Sequence, residues 1–300
     1  MKIFVAEQLA QISYGDYVEA LREGFKSQAI TPHRVVHDTS PTTTLLLMPA
    51  WNSVFTGIKT VTVKSDNAAL GLSTVQGSYL LIDNKTGAPV ALLDGTELTR
   101  RRTAAASALA ADYLARKDAS TLLLIGAGAL APHFAAAHAA VRSIKRVLVY
   151  NRNPEKAKAL AAELGGEAVL DLAFAVGEAD IISGITNSTE AIIHGAWVKP
   201  GTHIDLAGAY KPAMRETDGA AVGMARVFVD TREGAAAEAG DLIQAEAEGH
   251  FKFTDIQGDL TELCTGTMMG RKTDAEITLF KSCGTALEDL AAAAMVYLRF

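Results

Sequence analysis

The stretch that most constrains the fold of this chain is TLLLIGAGALAPHF, residues 121–134. It begins with leucine and isoleucine side chains typical of a buried strand and continues into a glycine-alanine-glycine turn. Gly126, Gly128 and Ala131 fit the pattern G-x-G-x-x-A. In that pattern the first glycine makes the turn, the second admits a pyrophosphate to the backbone, and the third small residue lets a helix pack on the strand. The pattern alone is weak evidence, because a plain turn can also require small residues.

The residues around this turn favour phosphate binding. The strand TLLLI ends at Gly126, a helix with Pro132 in its first turn follows, and a second strand, RVLVY, completes a βαβ unit. The N-terminal N–H groups of such a helix attract anions. The alternative is a glycine turn that only saves space. We therefore predict a dinucleotide site at Gly126 and Gly128.

The residues after the second strand indicate which dinucleotide binds. Dinucleotide folds that use NAD carry an acid there for the ribose 2′-OH, whereas a 2′-phosphate requires a cation. This chain has YNRNP, with Asn151 and Arg152 and no acid. The pattern predicts NADPH, with NADH also possible. The alternative is that Arg152 is a solvated surface cation.

The hydrophobic pattern predicts an α/β protein with two lobes. Residues 1–112 contain short β-rich runs typical of an antiparallel sheet, and we expect an α+β substrate-binding and dimerisation lobe there. Residues 113–284 alternate strands and helices, which predicts a Rossmann-type, doubly wound parallel sheet. The segment DAEITLFKSCGTALEDLAAAAMVYL is predicted to be helical, and its end, at about 285–300, is expected to rejoin the first lobe.

Charge and cysteine content exclude several classes of function. A net charge of -6 disfavours binding to nucleic-acid phosphates, which requires basic surfaces. Cys264 and Cys283 are isolated in sequence, so we expect neither a disulfide framework nor a metal site. The N-terminal MKIFVAEQLA lacks a sustained apolar run, and no stretch is predicted to span a membrane. A cytoplasmic protein is expected.

Three cations in the first lobe are candidates for binding an anionic substrate. Arg34 lies among apolar residues, Lys59 within a predicted strand, and Arg102 at the start of a long helix. Each taken alone is expected to face solvent, as such residues usually do. Together beside a nicotinamide, the three would hold a substrate carboxylate.

Several segments, in order and spacing, resemble the ornithine cyclodeaminase/mu-crystallin family, which includes alanine dehydrogenase and cyclic ketimine reductases. The resemblance extends from about residue 30 to 295. The segments that carry it are MPAWNSVFTGIKTVTV, RTAAASALAADYLA, GAGALA, VDTREGAAAEAGDL and DAEITLFKSCGTALEDLAAA. It implies a homodimer with an N-terminal substrate lobe and a Rossmann lobe.

Matching the family motifs residue by residue implies the composition of the site. The substrate carboxylate would contact Arg34, Lys59 and Arg102, with Tyr210 and Cys283 near the substrate. The resemblance would place the cofactor near Thr74, Ala129, Leu130, Asn151, Thr186, Ala207, Gly208 and Ser282. To these residues the predicted cofactor site adds Arg102, Gly126, Gly128 and Arg152.

Tyr210 is where this chain departs from the cyclodeaminases. In those enzymes the strand matching HIDLAGAYKP carries an aspartate that acts on the substrate amine and on water. A phenol with a pKa of about 10 is neutral at pH 7 and cannot replace that base. Asp205 precedes Tyr210 and is expected deeper in the strand.

Three functions remain open from the sequence. The first is an NAD(P)H-dependent reductase of cyclic imino acids such as Δ1-pyrroline-2-carboxylate or Δ1-piperideine-2-carboxylate, or of open-chain imines in the manner of an amino-acid dehydrogenase. The second is an ornithine cyclodeaminase, and the third a non-catalytic ligand-binding protein. Because the aspartate of the cyclodeaminases is missing, the reductase is the function that the sequence favours.

Overall fold

The computed structural model describes residues 1–300, except for the side chain of Ala68. The chain divides into two compact units. Unit 1 comprises Met1–Thr103 and Thr285–Phe300, and unit 2 comprises Ala104–Gly284.

Unit 1 contains a sheet and its covering helices. The strands are β1 (Lys2–Phe4), β2 (Val35–Ser40), β3 (Thr43–Trp51), β4 (Phe55–Lys64), β5 (Val75–Asp83) and β6 (Pro89–Asp94). The helices that begin in this part of the chain are α1 (Ala6–Ala10), α2 (Tyr14–Lys26) and α3 (Gly95–Leu114), with a 3-10 helix at Ser65–Leu70. The boundary between the units falls inside α3, before the boundary predicted at residue 112.

Unit 2 alternates strands and helices. The strands are β7 (Thr121–Ile125), β8 (Arg146–Tyr150), β9 (Glu167–Ala168), β10 (Ile181–Gly184), β11 (His203–Leu206), β12 (Arg226–Val229), β13 (Gly258–Asp259) and β14 (Thr278–Lys281). The helices are α4 (Ala131–Val141), α5 (Pro154–Leu164), α6 (Leu172–Glu178), α7 (Gly219–Met224), α8 (Arg232–Glu238), α9 (Gly240–Ala247) and α10 (Leu260–Thr265), with 3-10 helices at Gly195–Trp197 and Phe253–Asp255. The last helix, α11 (Ala286–Arg299), belongs to unit 1.

The sheet of unit 1 has the strand order β1-β6-β5-β4-β3-β2. Neighbouring strands from β2 to β6 are antiparallel, as predicted, and β1 adds a parallel strand that the sequence analysis missed. Helix α2 buries Tyr17, Val18, Leu21 and Phe25, which recur at helical spacing on one face. Helices α2 and α11 pack together, and α11 also contacts β3 and β4.

The sheet of unit 2 is parallel, with the order β13-β12-β14-β11-β10-β7-β8-β9. From β7 the chain first adds β8 and β9 on one side and then returns to add β10 and β11 on the other. Such a reversal opens a crevice at the carboxyl ends of the two central strands, where nucleotides bind in this fold class. The predicted Rossmann-type sheet is confirmed, and its switch point lies between β7 and β10.

The ends of α5 illustrate how local sequence determines this unit. Asn153 precedes the helix, and its side chain accepts a hydrogen bond from the Glu155 backbone N–H. Gly165 ends the helix at φ 64°, a conformation that glycine adopts without steric cost. Residues adjacent to the helix therefore determine where it begins and ends.

The helix predicted across DAEITLFKSCGTALEDLAAAAMVYL is wrong in its first part. Thr278–Lys281 forms strand β14, which lies between β11 and β12 and is buried at every position. A helix begins only at Ala286. The prediction failed because a short apolar run is compatible with either a buried strand or a buried helix, and its hydrophobic periodicity does not distinguish them.

Candidate functional site

The residues predicted to bind the cofactor within unit 2 lie at one edge of its sheet. Because all the strands are parallel, their carboxyl ends meet at this edge. The residues follow five adjacent strands: Gly126, Gly128, Ala129 and Leu130 after β7, Asn151 and Arg152 after β8, Thr186 after β10, Ala207 and Gly208 after β11, and Ser282 after β14.

The two glycines of the turn after β7 have different environments. Gly126 has φ 113°, and a Cβ added there would lie 2.9 Å from the carbonyl oxygen of Ile185. Packing within the protein therefore requires a glycine at this position. No heavy atom of the described residues lies within 4 Å of a Cβ added at Gly128. The open space beside Gly128, next to the first turn of α4, fits a phosphate that approaches the backbone.

Asn151 connects the end of β8 to this turn. Its Oδ1 accepts a hydrogen bond of 3.2 Å from the Ala127 backbone N–H, and its Nδ2 donates one of 3.0 Å to the Asn153 carbonyl oxygen. Arg152 is exposed, and the described part of the chain places no carboxylate in an ion pair with it. The guanidinium is thus accessible to a ligand at this edge.

The loops after β10 and β11 are joined by a carboxylate that the sequence analysis missed. Glu216 accepts hydrogen bonds from the backbone N–H and hydroxyl of Thr186 and from the backbone N–H groups of Gly208 and Ala209. Ala207 donates its own N–H to the Gly184 carbonyl oxygen. The signal in the sequence was an acid within an otherwise loop-like segment, KPAMRETD, which is usually a solvated position.

A second missed carboxylate, Asp230, holds the loop after β14. Its Oδ2 accepts hydrogen bonds from the backbone N–H groups of Cys283 and Gly284, both at 2.6 Å, and from the Ser282 hydroxyl at 3.2 Å. Burial raises the pKa of the Cys283 thiol far above its ordinary value, and the Asp230 charge adds to this effect. Cys283 is therefore a neutral thiol near neutral pH.

Tyr210 lies on the loop after β11 and is 45% exposed. The Lys211 ammonium is 5.8 Å from the centre of its ring. Asp205, in contrast, is fully buried, where its Oδ2 accepts a hydrogen bond from the Ser183 hydroxyl and contacts His138 Nε2. Although burial acts to raise the pKa of Asp205, these contacts hold it below its usual value. Asp205 is thus deeply buried in β11, as expected from the sequence.

In unit 1, Lys59 and Arg102 meet at a buried ionic cluster. Asp289 Oδ2 lies 2.7 Å from Lys59 Nζ, and Asp289 Oδ1 lies 2.9 Å from Arg102 Nε. Glu288 pairs with the Arg102 guanidinium. All four side chains are buried. The predicted positive cluster is therefore balanced by two carboxylates that the sequence analysis did not include.

The sequence analysis missed Glu288 and Asp289 because acids are common at the start of a helix. They lie in the first turn of α11, where acids commonly stabilise the positive end of the helix dipole. Their neighbours, ALEDLAAAAM, are almost entirely apolar. Two adjacent acids on a helix that is otherwise almost entirely apolar are expected to be buried and therefore to need cationic partners. This was the signal in the sequence for partners elsewhere in the chain.

Lys59 has an environment suited to proton transfer. Burial lowers its pKa to about 8, against the opposing effect of Asp289. On β5, Tyr79 pairs with Lys59 across the sheet and is fully buried. A lysine with a pKa near 8 is mostly protonated at neutral pH and can still release a proton.

Arg34 and Thr74 are the other predicted site residues of unit 1. Extending the pairing of β2 with β3 by one residue sets Arg34 beside Met48, which itself pairs with Lys59. Two strand spacings, together about 10 Å, then separate the backbones of Arg34 and Lys59. Thr74 precedes β5 and accepts a hydrogen bond from the Lys64 N–H.

No group of three or more His, Cys, Asp or Glu side chains in the described chain is arranged to hold a metal ion. None of its helices combines the length and apolar character that crossing a membrane requires.

Comparison with known proteins gives consistent matches over nearly the whole chain. The sequence model of the ornithine cyclodeaminase/mu-crystallin family matches residues 3–300. A Delta(1)-pyrroline-2-carboxylate reductase of Paracoccus denitrificans is 40% identical over 296 residues, which cover 95% of this chain and 92% of the relative.

Two solved structures resemble this one closely. Thermococcus litoralis Delta(1)-pyrroline-2-carboxylate reductase, in complex with NADH and L-proline, gives a TM-score of 0.92 at 34% identity and covers 100% of this chain and 97% of its own. An archaeal alanine dehydrogenase dimer with bound NAD gives a TM-score of 0.91 at 31% identity. The match covers 99% of this chain and 95% of the dehydrogenase chain.

Proposed function

The chain belongs to the ornithine cyclodeaminase/mu-crystallin family, and from this premise we propose that it is an NAD(P)H-dependent reductase of cyclic imino acids. Its substrates would be Δ1-pyrroline-2-carboxylate and Δ1-piperideine-2-carboxylate, and its products proline and pipecolate. The observation that carries this choice is Tyr210, a tyrosine at the position where the family resemblance implies the aspartate of the cyclodeaminases. Reduction of C=N requires no base that activates water, whereas deamination does.

The two reductases named above support the substrate class. The Paracoccus relative carries the name of a Delta(1)-pyrroline-2-carboxylate reductase, and the Thermococcus structure contains NADH together with L-proline. L-Proline is the product that reduction of this imine would release. Identity of 34% or more to both proteins over nearly the whole chain favours the same reaction here.

The proposed reaction requires a hydride, a fixed orientation of the substrate and a proton. When bound at the carboxyl edge of the unit 2 sheet, the dinucleotide supplies a hydride to the imine carbon. Arg102 and Arg34 hold the substrate carboxylate, which fixes the orientation of the C=N bond. Lys59 transfers a proton to the imine nitrogen, so that the C=N bond becomes CH–NH and Lys59 is left neutral.

The function is tested by following the oxidation of NADPH and NADH at 340 nm. The panel contains cyclic and open-chain 2-imino acids, with ornithine in a separate ammonia-release assay. Reduction of the five- or six-membered cyclic imino acid at the highest kcat/KM supports the proposal. Ammonia release from ornithine at a comparable rate would contradict it, as would tight ligand binding without turnover of any imine.

A second candidate is an amino-acid dehydrogenase that acts on open-chain imines. The structural similarity to archaeal alanine dehydrogenase favours this possibility. Adding ammonium and a 2-oxo acid such as pyruvate distinguishes the two, because only the dehydrogenase turns over that mixture faster than the cyclic imines.

We expect Arg152→Ala to weaken NADPH binding by roughly ten- to a hundredfold and to leave NADH binding nearly unchanged. The reason is the loss of a charge-assisted hydrogen bond to the 2′-phosphate, worth about 1.5 to 3 kcal/mol. Dissociation constants from nucleotide fluorescence titrations measure the effect. Equal weakening of NADPH and NADH binding would show that Arg152 does not contact the 2′-phosphate.

We expect a homodimer assembled through unit 1. Strand β2 is the edge of its sheet and is exposed at every residue, with Val35 and Val36 about half exposed. Such an edge is normally covered, and a two-fold pairing of sheets covers it. Light scattering at micromolar concentration is expected to give the mass of two chains, and Val36→Asp to lower it. A monomer mass for the wild type would contradict this prediction.

The remaining assignments follow from this function. Unit 1 would serve as the substrate and dimerisation lobe and unit 2 as the cofactor domain. Cys264 and Cys283 form no disulfide among the described residues, which is compatible with a cytoplasmic enzyme of proline metabolism.

A further inference from the structure

Glu216 is a buried acid that neither the substrate chemistry nor the glycine-rich turn requires. It lies on the segment between β11 and α7, with only 1% of its surface exposed. Oε1 accepts hydrogen bonds from the Thr186 N–H at 2.6 Å and the Thr186 hydroxyl at 2.9 Å. Oε2 accepts from the N–H groups of Gly208 at 2.7 Å and Ala209 at 3.3 Å. One side chain thus joins the loop after β10 to the loop after β11.

A second layer of contacts fixes Glu216 itself. Asp241 on α9 accepts hydrogen bonds from the backbone N–H groups of Glu216, at 2.6 Å, and Thr217, at 3.0 Å. The other oxygen of Asp241 lies 3.0 Å from Lys281 Nζ on β14, and both side chains are fully buried. The carboxylate of Glu216 is therefore held by the packed interior of unit 2.

The loops after β10 and β11 approach each other closely beside Glu216. A Cβ added at Gly208 would collide with the backbone of Thr186, and one added at Gly184 would lie 3.1 Å from Glu216 Oε1. Only glycines allow the loops and the carboxylate to share this space.

We propose that Glu216 is a positioning residue for the dinucleotide, because it fixes the backbone of the two loops that follow β10 and β11 at the switch-point side of the sheet. The inference rests on the proposed function. Glu216 contacts the two loops and would act on the cofactor through them. Its removal affects binding because Thr186 and Gly208 lose their fixed positions.

The four partners of Glu216 are all donors, so they require the ionised carboxylate. Burial raises the pKa of Glu216 to about 7, Lys281 opposes this effect, and Asp241 adds to it. Asp241 from α9 and Lys281 from β14 are the titratable groups that face it. As pH falls through 7, protonation removes acceptor capacity and releases the loops. Cofactor affinity of the wild type is therefore expected to decrease below pH 7.

The test compares Glu216→Gln with Asp180→Asn. Asp180 is also a buried carboxylate that accepts two backbone N–H groups, those of Ser120 and Thr121, but it lies at the opposite, N-terminal end of the strands. Hydrogen exchange of the protein without cofactor is followed in peptides containing Thr186 and Gly208. Dissociation constants for NADH are measured by fluorescence from pH 6 to 8.

For Glu216→Gln we expect faster exchange in both loop peptides, at least about tenfold weaker NADH binding at pH 8, and loss of the pH dependence. Asp180→Asn is expected to change neither loop exchange nor affinity. Glu216→Asp keeps the charge but is shorter by one methylene, so we expect an intermediate affinity with the pH dependence retained.

Unchanged exchange and affinity in Glu216→Gln would overturn the inference while leaving the proposed function intact. If the Gln variant does not fold, a wild-type affinity that is flat from pH 6 to 8 overturns it equally. Failure of the wild-type protein to bind either NADH or NADPH would instead overturn the proposed function, and this inference with it.

Discussion

Replacing Lys59 with methionine is expected to lower kcat/KM for the reduction of Δ1-pyrroline-2-carboxylate by at least about a hundredfold. Methionine keeps the length of the side chain but supplies neither a proton for the imine nitrogen nor a charge for the carboxylate. Steady-state kinetics at 340 nm measure the loss. NADH affinity is expected to remain near that of the wild type, because no cofactor group is assigned to Lys59.

The wild-type pH profile provides an independent test of the same role. Because burial lowers the pKa of Lys59 to about 8, the protonated acid is abundant below that pH and is lost above it. We therefore expect kcat/KM to be highest below pH 8 and to fall as pH rises beyond it. The residual activity of Lys59→Met is expected to lack this decrease.

Two further variants separate proton transfer from structure. Lys59→Arg keeps a cation beside Asp289 but cannot release a proton near neutral pH, so we expect activity to remain low. Tyr210→Phe removes a hydroxyl that hydride transfer does not use, and it is expected to cost far less. Normal imine reduction by Lys59→Met would exclude Lys59 as the proton donor.

Replacing Arg102 with methionine is expected to cost about 3 kcal/mol of unfolding free energy and to lower Tm by roughly 6 to 12 °C. Arg102 faces both Glu288 and Asp289 in the buried cluster, and the variant leaves these carboxylates without its guanidinium. This loss of unfolding free energy is at the lower end of the range of about 3 to 5 kcal/mol for a broken buried ion pair, because Lys59 still contacts Asp289. Thermal unfolding followed by circular dichroism measures the shift.

A surface pair provides the matched control. Lys26→Met removes an exposed ion pair with Glu23 on α2, and such pairs contribute about 0 to 1 kcal/mol. The double variant Arg102→Met with Glu288→Gln is expected to recover part of the lost stability, since it also removes one of the buried negative charges. A Tm for Arg102→Met equal to that of Lys26→Met would show that the buried ion pairs of Arg102 do not contribute the expected free energy of unfolding.

The local chemistry of the sequence determined much of the fold of unit 2. The strand TLLLI, the turn at Gly126 and the small residue at Ala131 allow few structures other than a strand, a tight turn and a helix. The cap at Gly165 was equally predictable, because helix termination depends on residues within one turn. Parallel strands followed from the alternation of such units.

The partners of the charged residues were decided only by the tertiary structure. Arg102 and Glu288 are separated by 186 residues, and no local pattern connects them. The same holds for Lys59 with Asp289, and for Glu216 with the loops that it joins. The hydrophobic periodicity of β14 did not distinguish a strand from a helix either. Its place between β11 and β12 in the folded sheet identifies it as a strand. Burying a charge is costly without a partner, so these pairs form only where the folded chain brings distant segments together.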